Sequence, residues 1–197
     1  MRLLRPALPA LALAFAPILA LSACATPQRA EPSAVVEPDG QILAAMDIGL
    51  RAEEASDASA LLAAASLLDA AGARPADGQD DLTTRWREQA AAMGETLPPL
   101  RGRTAGPAYR NGALGAGETA LLRDSFHSGR TARVSVQTRG TGTLRLAIRR
   151  PDGEMMCETL VSAAPVSCQW VPVWTEPFHI EVTNLTAGNV AYYLITN

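Results

Sequence analysis

Two kinds of hydrophobic pattern divide this chain. Between residues 39 and 95, apolar side chains recur at helical spacing, as do Ile42, Met46 and Leu50, which places them on one face of a helix. After residue 117, apolar and polar residues alternate, a pattern typical of strands with one buried face. The predicted buried positions are Ala132, Val134 and Val136, then Leu144, Leu146 and Ile148, then Phe178, Ile180 and Val182. The sequence therefore predicts an α+β fold: an N-terminal helical hairpin or three-helix segment followed by an antiparallel β-sandwich.

Composition marks the limits of the segments. A charged start and an uncharged apolar stretch occupy 1–23, and a proline-rich linker follows at 24–38. If extended, this linker would span roughly 40 Å, at about 3.1 Å per residue. The helical segment is expected at 39–95, a connector rich in glycine and proline at 96–116, and the β-sandwich at 117–197. We place the domain boundary in the connector.

The start of the chain resembles the signal of a bacterial lipoprotein. Its apolar stretch is too short to span a bilayer well, and it ends in Leu21-Ser22-Ala23-Cys24, which matches the lipobox. The alternative is an ordinary signal peptide with a chance cysteine. The resemblance implies that 1–23 is cleaved, that the Cys24 thiol is lipidated, and that the membrane is reached through this anchor. Ala25, in place of an aspartate, implies delivery to the outer membrane, facing the periplasm.

Cys157 and Cys168 are the two cysteines that remain. In an oxidising compartment we expect them to form a disulfide. A zinc site is the rival interpretation. It would need two further ligands, and no CxxC or HxxxH spacing supplies them.

The distribution of charge excludes one class of partner. Residues 25–116 hold thirteen acidic residues against eight arginines, and residues 117–197 hold seven of each. Because neither segment is strongly basic, nucleic acid is not an expected partner.

The C-terminal segment resembles the bacterial pre-peptidase C-terminal domain over roughly its last 80 residues. The matching pieces are Phe126 with Gly129-Arg130, then 144–153, 168–172, 178–184 and 193–197. The resemblance implies a jelly-roll-like sandwich appended to exported proteins. Relatives often carry acidic residues where Arg145 and Arg149 stand here. Calcium binding is not carried over, because only Glu118 and Asp124 are available near the start of the domain and calcium needs six to eight oxygen ligands.

Residue types needed for catalysis are sparse. His127 lies near Asp124 and Ser125, and His179 falls on the wet face of its strand. A Ser-His-Asp triad is defined by geometry, and residues within four positions of one another rarely form one. We therefore expect both histidines to be surface residues. The acidic cluster is attributed to helix capping and not to metal binding; it consists of Asp77, Asp80 and Asp81. We predict no catalytic residue, no metal and no cofactor.

Two other groups suggest binding. Trp170, Trp174, Tyr192 and Tyr193 could line a sugar-binding platform, but we expect Trp170 in the core and Trp174 at the surface. Arg133, Arg145 and Arg149 all point away from the core if the alternation holds. On adjacent strands they would form a positive stripe for phosphate or carboxylate groups of envelope glycans; the alternative is cross-strand pairing with Glu158 or Glu181.

These observations favour a non-catalytic lipoprotein of the cell envelope that acts as a binding or scaffold module. The expected partners are the membrane, through the lipid anchor, and an envelope protein or an anionic glycan. The alternative function is that of an accessory subunit of a secreted hydrolase or protease, which is suggested by family analogy alone.

Overall fold

The computed structural model describes the backbone of residues 31–34 and all of residues 39–97 and 106–197. The predicted signal peptide and the predicted lipidation site Cys24 lie outside the described residues. Within them, no helix is both long and apolar enough to cross a membrane.

Three helices come first. They are α1 (Asp39–Ala55), α2 (Ala58–Ala70) and α3 (Leu82–Ala92). The side chain of Asp57 caps α2 by accepting from the Ala60 N–H, and that bond lowers the pKa of the Asp57 carboxyl. Asp81 caps α3 by accepting from two backbone N–H groups. The acidic residues before the helices thus satisfy free backbone donors.

Ten strands lie within the described residues. They are β1 (Glu31–Ala34), β2 (Arg74–Pro75), β3 (Ala108–Leu114), β4 (Thr119–Phe126), β5 (Ala132–Arg139), β6 (Leu144–Arg149), β7 (Met155–Val161), β8 (Val166–Trp170), β9 (Glu176–Asn184) and β10 (Val190–Thr196). Without the short β1 and β2, the two sheets have the orders β8-β5-β10-β3 (sheet A) and β4-β9-β6-β7 (sheet B). This is the arrangement of an eight-stranded jelly roll. The predicted fold class is confirmed.

The molecule has three layers and two apolar cores. Alternating residues such as Val134, Leu146 and Ile180 fill the core between the sheets, as predicted. A second core lies between the helices and the outer face of sheet A, where Tyr193 and Ile195 of β10 pack with the helical side chains. Burial in this layer raises the pKa of the Tyr193 phenol.

Two predicted boundaries differ from the structure. Strand β3 lies inside the segment 96–116 that was predicted as a connector, and β1 lies inside the linker predicted at 24–38. In both cases the strand joins the edge of an existing ladder, β3 on β10 and β1 on β8. Neither strand, EPSA in β1 or AYRNGAL in β3, has a regular alternation of apolar and polar residues, so the hydrophobic pattern did not reveal them. The helices also share a core with sheet A, so the predicted boundary does not separate two independent cores.

The predicted disulfide between Cys157 and Cys168 is confirmed. Cys157 belongs to β7 of sheet B and Cys168 to β8 of sheet A. Both are buried in the core between the sheets. The bond therefore fastens one sheet of the jelly roll to the other.

We expect loss of this disulfide to reduce the free energy of unfolding by about 3 kcal/mol, because the crosslink restricts the unfolded chain. Thermal unfolding with and without reductant measures the effect. The double variant Cys157→Ala, Cys168→Ala is the control, since its transition should not respond to reductant. An unchanged melting temperature of the reduced wild-type protein would show that the crosslink is dispensable.

Candidate binding cleft at one end of the sandwich

A cleft of about 250 Å³ opens at one end of the jelly roll. We call this the cleft end: β4 and β10 finish there, and β5 and β9 begin there. The polar side chains around the cleft come from Arg74, Asp124, Ser125, His127, Arg130, Thr131, Thr196 and Asn197. They belong to three separate parts of the chain, which only the folded jelly roll brings together.

Two arginines supply the positive charge of the cleft. Arg74 follows the end of α2 and is held in β2, where its N–H donates to the Pro107 carbonyl oxygen at 3.0 Å. Arg130 lies in the β4–β5 loop just after Gly129, whose positive φ of 71° suits glycine. Both side chains are exposed. Among the described residues, neither guanidinium has an acidic partner within 4.0 Å.

The carboxylate in the cleft is already bonded. Asp124 accepts from the Thr196 hydroxyl at 2.8 Å, which ties β4 of sheet B to β10 of sheet A. Because no carboxylate among the described residues pairs with Arg74 or Arg130, both guanidinium groups can donate to a ligand anion, for which the planar guanidinium is well suited.

His127 lines the same cleft but is not part of an assembled catalytic group. It is exposed, as predicted. In the described part of the chain, no hydrogen bond links its imidazole to Asp124 or Ser125. Residues 39–97 and 106–197 also contain no cluster of His, Cys, Asp and Glu that could hold a metal. The chemistry that the cleft offers is anion binding by guanidinium groups.

No protein-family model matches this chain, and no curated protein is detectably similar to it in sequence. Solved structures with a similar fold include the following three. The pre-peptidase C-terminal domain of a collagenase from Bacillus anthracis is 14% identical, with 46% of this chain and 88% of that chain covered and a TM-score of 0.41. The periplasmic inhibitor of g-type lysozyme PliG, from Aeromonas hydrophila, is 14% identical, with coverages of 51% and 93% and a TM-score of 0.36. The Yersinia pseudotuberculosis-derived mitogen is 11% identical, with coverages of 46% and 84% and a TM-score of 0.36.

These similarities concern the fold. The predicted resemblance to the pre-peptidase C-terminal domain is found again as a likeness of sandwich architecture. At such identities a shared fold says nothing about ligands, because one sandwich architecture serves many functions.

The predicted arginine stripe is wrong. Arg133 lies on β5 of sheet A, whereas Arg145 and Arg149 lie on β6 of sheet B, so their side chains leave the sandwich on opposite faces. Arg133 is covered by α1 and lies 3.4 Å from Asp39. The prediction failed because alternation shows which face of a strand is polar but not to which sheet the strand belongs.

The other two arginines form the cross-strand pairs that were the alternative prediction. Arg145 lies 3.8 Å from Glu158, and Arg149 lies 3.6 Å from Glu181. All four side chains are partly exposed, so each pair contributes less than about 1 kcal/mol to stability.

The two predictions on tryptophan are confirmed. Trp170 is buried in the core between the sheets, and its ring lies 4.9 Å from that of Phe126. Trp174 is 68% exposed. Tyr192 and Tyr193 are buried, on opposite faces of β10, so they do not extend a surface platform around Trp174.

Proposed function

We propose that this protein is a lipid-anchored protein of the cell envelope whose jelly roll binds an anionic group in the cleft. The observation that carries the proposal is the pair of exposed guanidinium groups, Arg74 and Arg130, on the walls of one concave site. Among the described residues neither guanidinium has an acidic partner within 4.0 Å, and a guanidinium binds carboxylate or phosphate oxygens through charge-assisted hydrogen bonds.

Two features support an envelope location. Leu21-Ser22-Ala23-Cys24 matches the lipobox, and a thioether-linked lipid with further acylation gives a stable membrane anchor. The Cys157–Cys168 disulfide fits the oxidising conditions found outside the cytoplasm. We infer a periplasmic position on the outer membrane from Ala25 after the cysteine.

The ligand class follows from the size and chemistry of the site. A volume of about 250 Å³ accommodates a charged substituent and not a whole polymer. Ser125 and Thr131 add hydroxyl groups beside the guanidinium groups, and such groups bind carboxylate or phosphate oxygens. Glycans of the envelope that carry these anions are the ligands we propose, and the protein binds them without chemical change.

The variant Arg130→Gln should weaken binding of an anionic envelope glycan at least about tenfold, because a hydrogen bond to a charged group contributes about 1.5–3 kcal/mol. Arg74→Gln should have a similar effect. Isothermal titration of the purified chain with acidic glycan fragments, and separately with inorganic phosphate, measures both affinities.

Arg123→Gln is the matched control. Arg123 is exposed on β4, like the cleft arginines, but does not line the cleft. Its removal lowers the net charge equally, so it should leave the affinity unchanged. If all three variants weaken binding alike, the ligand responds to overall charge, and the cleft is not its site.

A further inference from the structure

The loop at residues 171–175 exposes three apolar side chains. Val171, Val173 and Trp174 are 51%, 65% and 68% exposed. They follow one another closely at the cleft end, between β8 and β9. A cluster of exposed large apolar residues on a soluble domain marks a surface of interaction.

The rest of the structure holds this loop in place. The N–H of Gly129 donates to the Pro172 carbonyl oxygen at 3.0 Å, and the N–H of Ser128 donates to the Thr175 hydroxyl, also at 3.0 Å. Beneath the loop, Trp170 packs in the core between the sheets. The apolar side chains are therefore presented by a fixed support and not by a free loop.

The chain reaches the sandwich at the same end. Strand β1 begins at Glu31, which lies opposite Gln169, and it runs away from the cleft end toward Ala34, opposite Val166. Cys24 lies seven positions before Glu31 in the sequence, with six residues between them. A fully extended chain spans at most about 3.5 Å per residue, so a lipid on Cys24 could lie no farther than about 25 Å from Glu31.

We propose that the 171–175 loop rests in the headgroup region of the bilayer that holds the lipid on Cys24. This inference rests on the anchor of the proposed function. Tryptophan is enriched at the boundary between hydrocarbon and water, and the two valines of the same loop add exposed apolar area. Arg130 lies in the β4–β5 loop that braces residues 171–175, so this end of the sandwich carries positive charge, which suits a surface of anionic lipids.

A sugar is the competing occupant, and the composition of the loop disfavours it. A sugar stacks on a flat aromatic face, and Trp174 supplies one. Val171 and Val173 have no such face, and the tyrosines that might have extended a platform are buried. A short tether and three apolar side chains at the same end favour a lipid surface.

Quenching of tryptophan fluorescence tests the contact. The lipidated full-length protein is reconstituted into vesicles of phosphatidylethanolamine and phosphatidylglycerol with bromine near the top of the acyl chains. Trp86 and Trp170 are buried, so the quenched emission should come from Trp174. We expect quenching in the wild-type protein and its loss in Val173→Asp, where a charge replaces an inserted side chain.

Leu121→Asp is the matched control. Leu121 is 74% exposed on β4, away from the loop, and its replacement should leave quenching unchanged. Wild-type protein that sediments with the vesicles but is not quenched would overturn the loop contact while leaving the anchor intact. A Trp174 emission that responds to glycan fragments and not to brominated lipid would do the same in favour of a sugar. Protein that neither sediments nor carries acyl chains at Cys24 by mass spectrometry would overturn the anchor and, with it, this inference.

Discussion

Replacing Asp39 with alanine is expected to reduce the free energy of unfolding by about 3–5 kcal/mol. Asp39 begins α1 and is fully buried against sheet A. Its carboxylate accepts from the Ser135 hydroxyl at 2.6 Å and lies 3.4 Å from Nη1 of Arg133. Without the carboxylate, the mostly buried guanidinium of Arg133 loses its compensating charge, which is the costly part of breaking a buried ion pair. Urea unfolding followed by circular dichroism measures the change.

The variant Glu54→Ala provides the comparison for Asp39→Ala. Glu54 lies on the same helix and pairs with Arg139 of the same strand at 2.6 Å, but its side chain is 65% exposed. Water screens this pair, so its loss should cost less than about 1 kcal/mol. Equal losses in the two variants would mean that burial does not determine the strength of these pairs, and that Asp39 does not fix α1 to the sheet.

The helices that pack on sheet A explain why the sequence predicted some buried strand residues and missed others. Alternation placed Val134 and Val136 in the core correctly, and it placed Ser135 on a face open to water. Ser135 is instead buried under α1, because its hydroxyl has a carboxylate to bond with. A polar residue on a strand therefore predicts a hydrogen-bond partner, which is water in most cases and a helix here.

The sequence of one strand, β10, indicates which sheet the helices cover. Strand β10 has the sequence VAYYLIT, which is apolar on both faces, whereas β6 alternates as LRLAIR. A strand that is apolar on both faces is typical of a sheet buried on both sides. In β10, Leu194 packs between the sheets and Ile195 packs under the helices. This contrast predicts that the helices lie on the sheet containing β10 and leave β6 uncovered.

The cleft could not be predicted in the same way. Arg74 and Arg130 are separated by a helix and two strands in the sequence, and they line one cleft only because the jelly roll brings its loops to one end. The turn between β5 and β6 shows why topology decides such contacts. There Gly140 and Gly142 have positive φ, and a Cβ on Gly142 would lie 2.4 Å from Val190. That tight turn carries the chain from sheet A to sheet B, which separates Arg133 from Arg145.

The two proposals constrain each other, since both concern the cleft end. The β4–β5 loop lines the cleft with Arg130 and braces residues 171–175 through Gly129. If that loop rests on the bilayer, the cleft opens beside the lipid headgroups. We then expect its ligand to carry phosphate or carboxylate close to the membrane, as a glycolipid does, and to bind more weakly when presented on a polymer away from it.

Replacing Trp86 with alanine is expected to reduce the free energy of unfolding by about 3–5 kcal/mol. Trp86 of α3 is fully buried in the core between the helices and sheet A. Its ring fills a notch left by Gly49 of α1, where an added Cβ would lie 2.2 Å from the ring. Its Nε1 has no hydrogen-bond partner among the described residues, so the cost comes from lost packing and the remaining cavity. Thermal and urea unfolding both report the loss.

Gly49→Ala tests this contact, because its effect on stability should change sign between the wild-type protein and the Trp86→Ala variant. In the wild-type background the new methyl group meets the Trp86 ring, and such overpacking should destabilise by about 1–3 kcal/mol. In the Trp86→Ala background the notch is empty, and alanine should stabilise α1 by up to about 1 kcal/mol through its better helix propensity. A Gly49→Ala substitution that destabilises both backgrounds equally would contradict the direct contact between the two positions, because contacting residues are expected to be coupled.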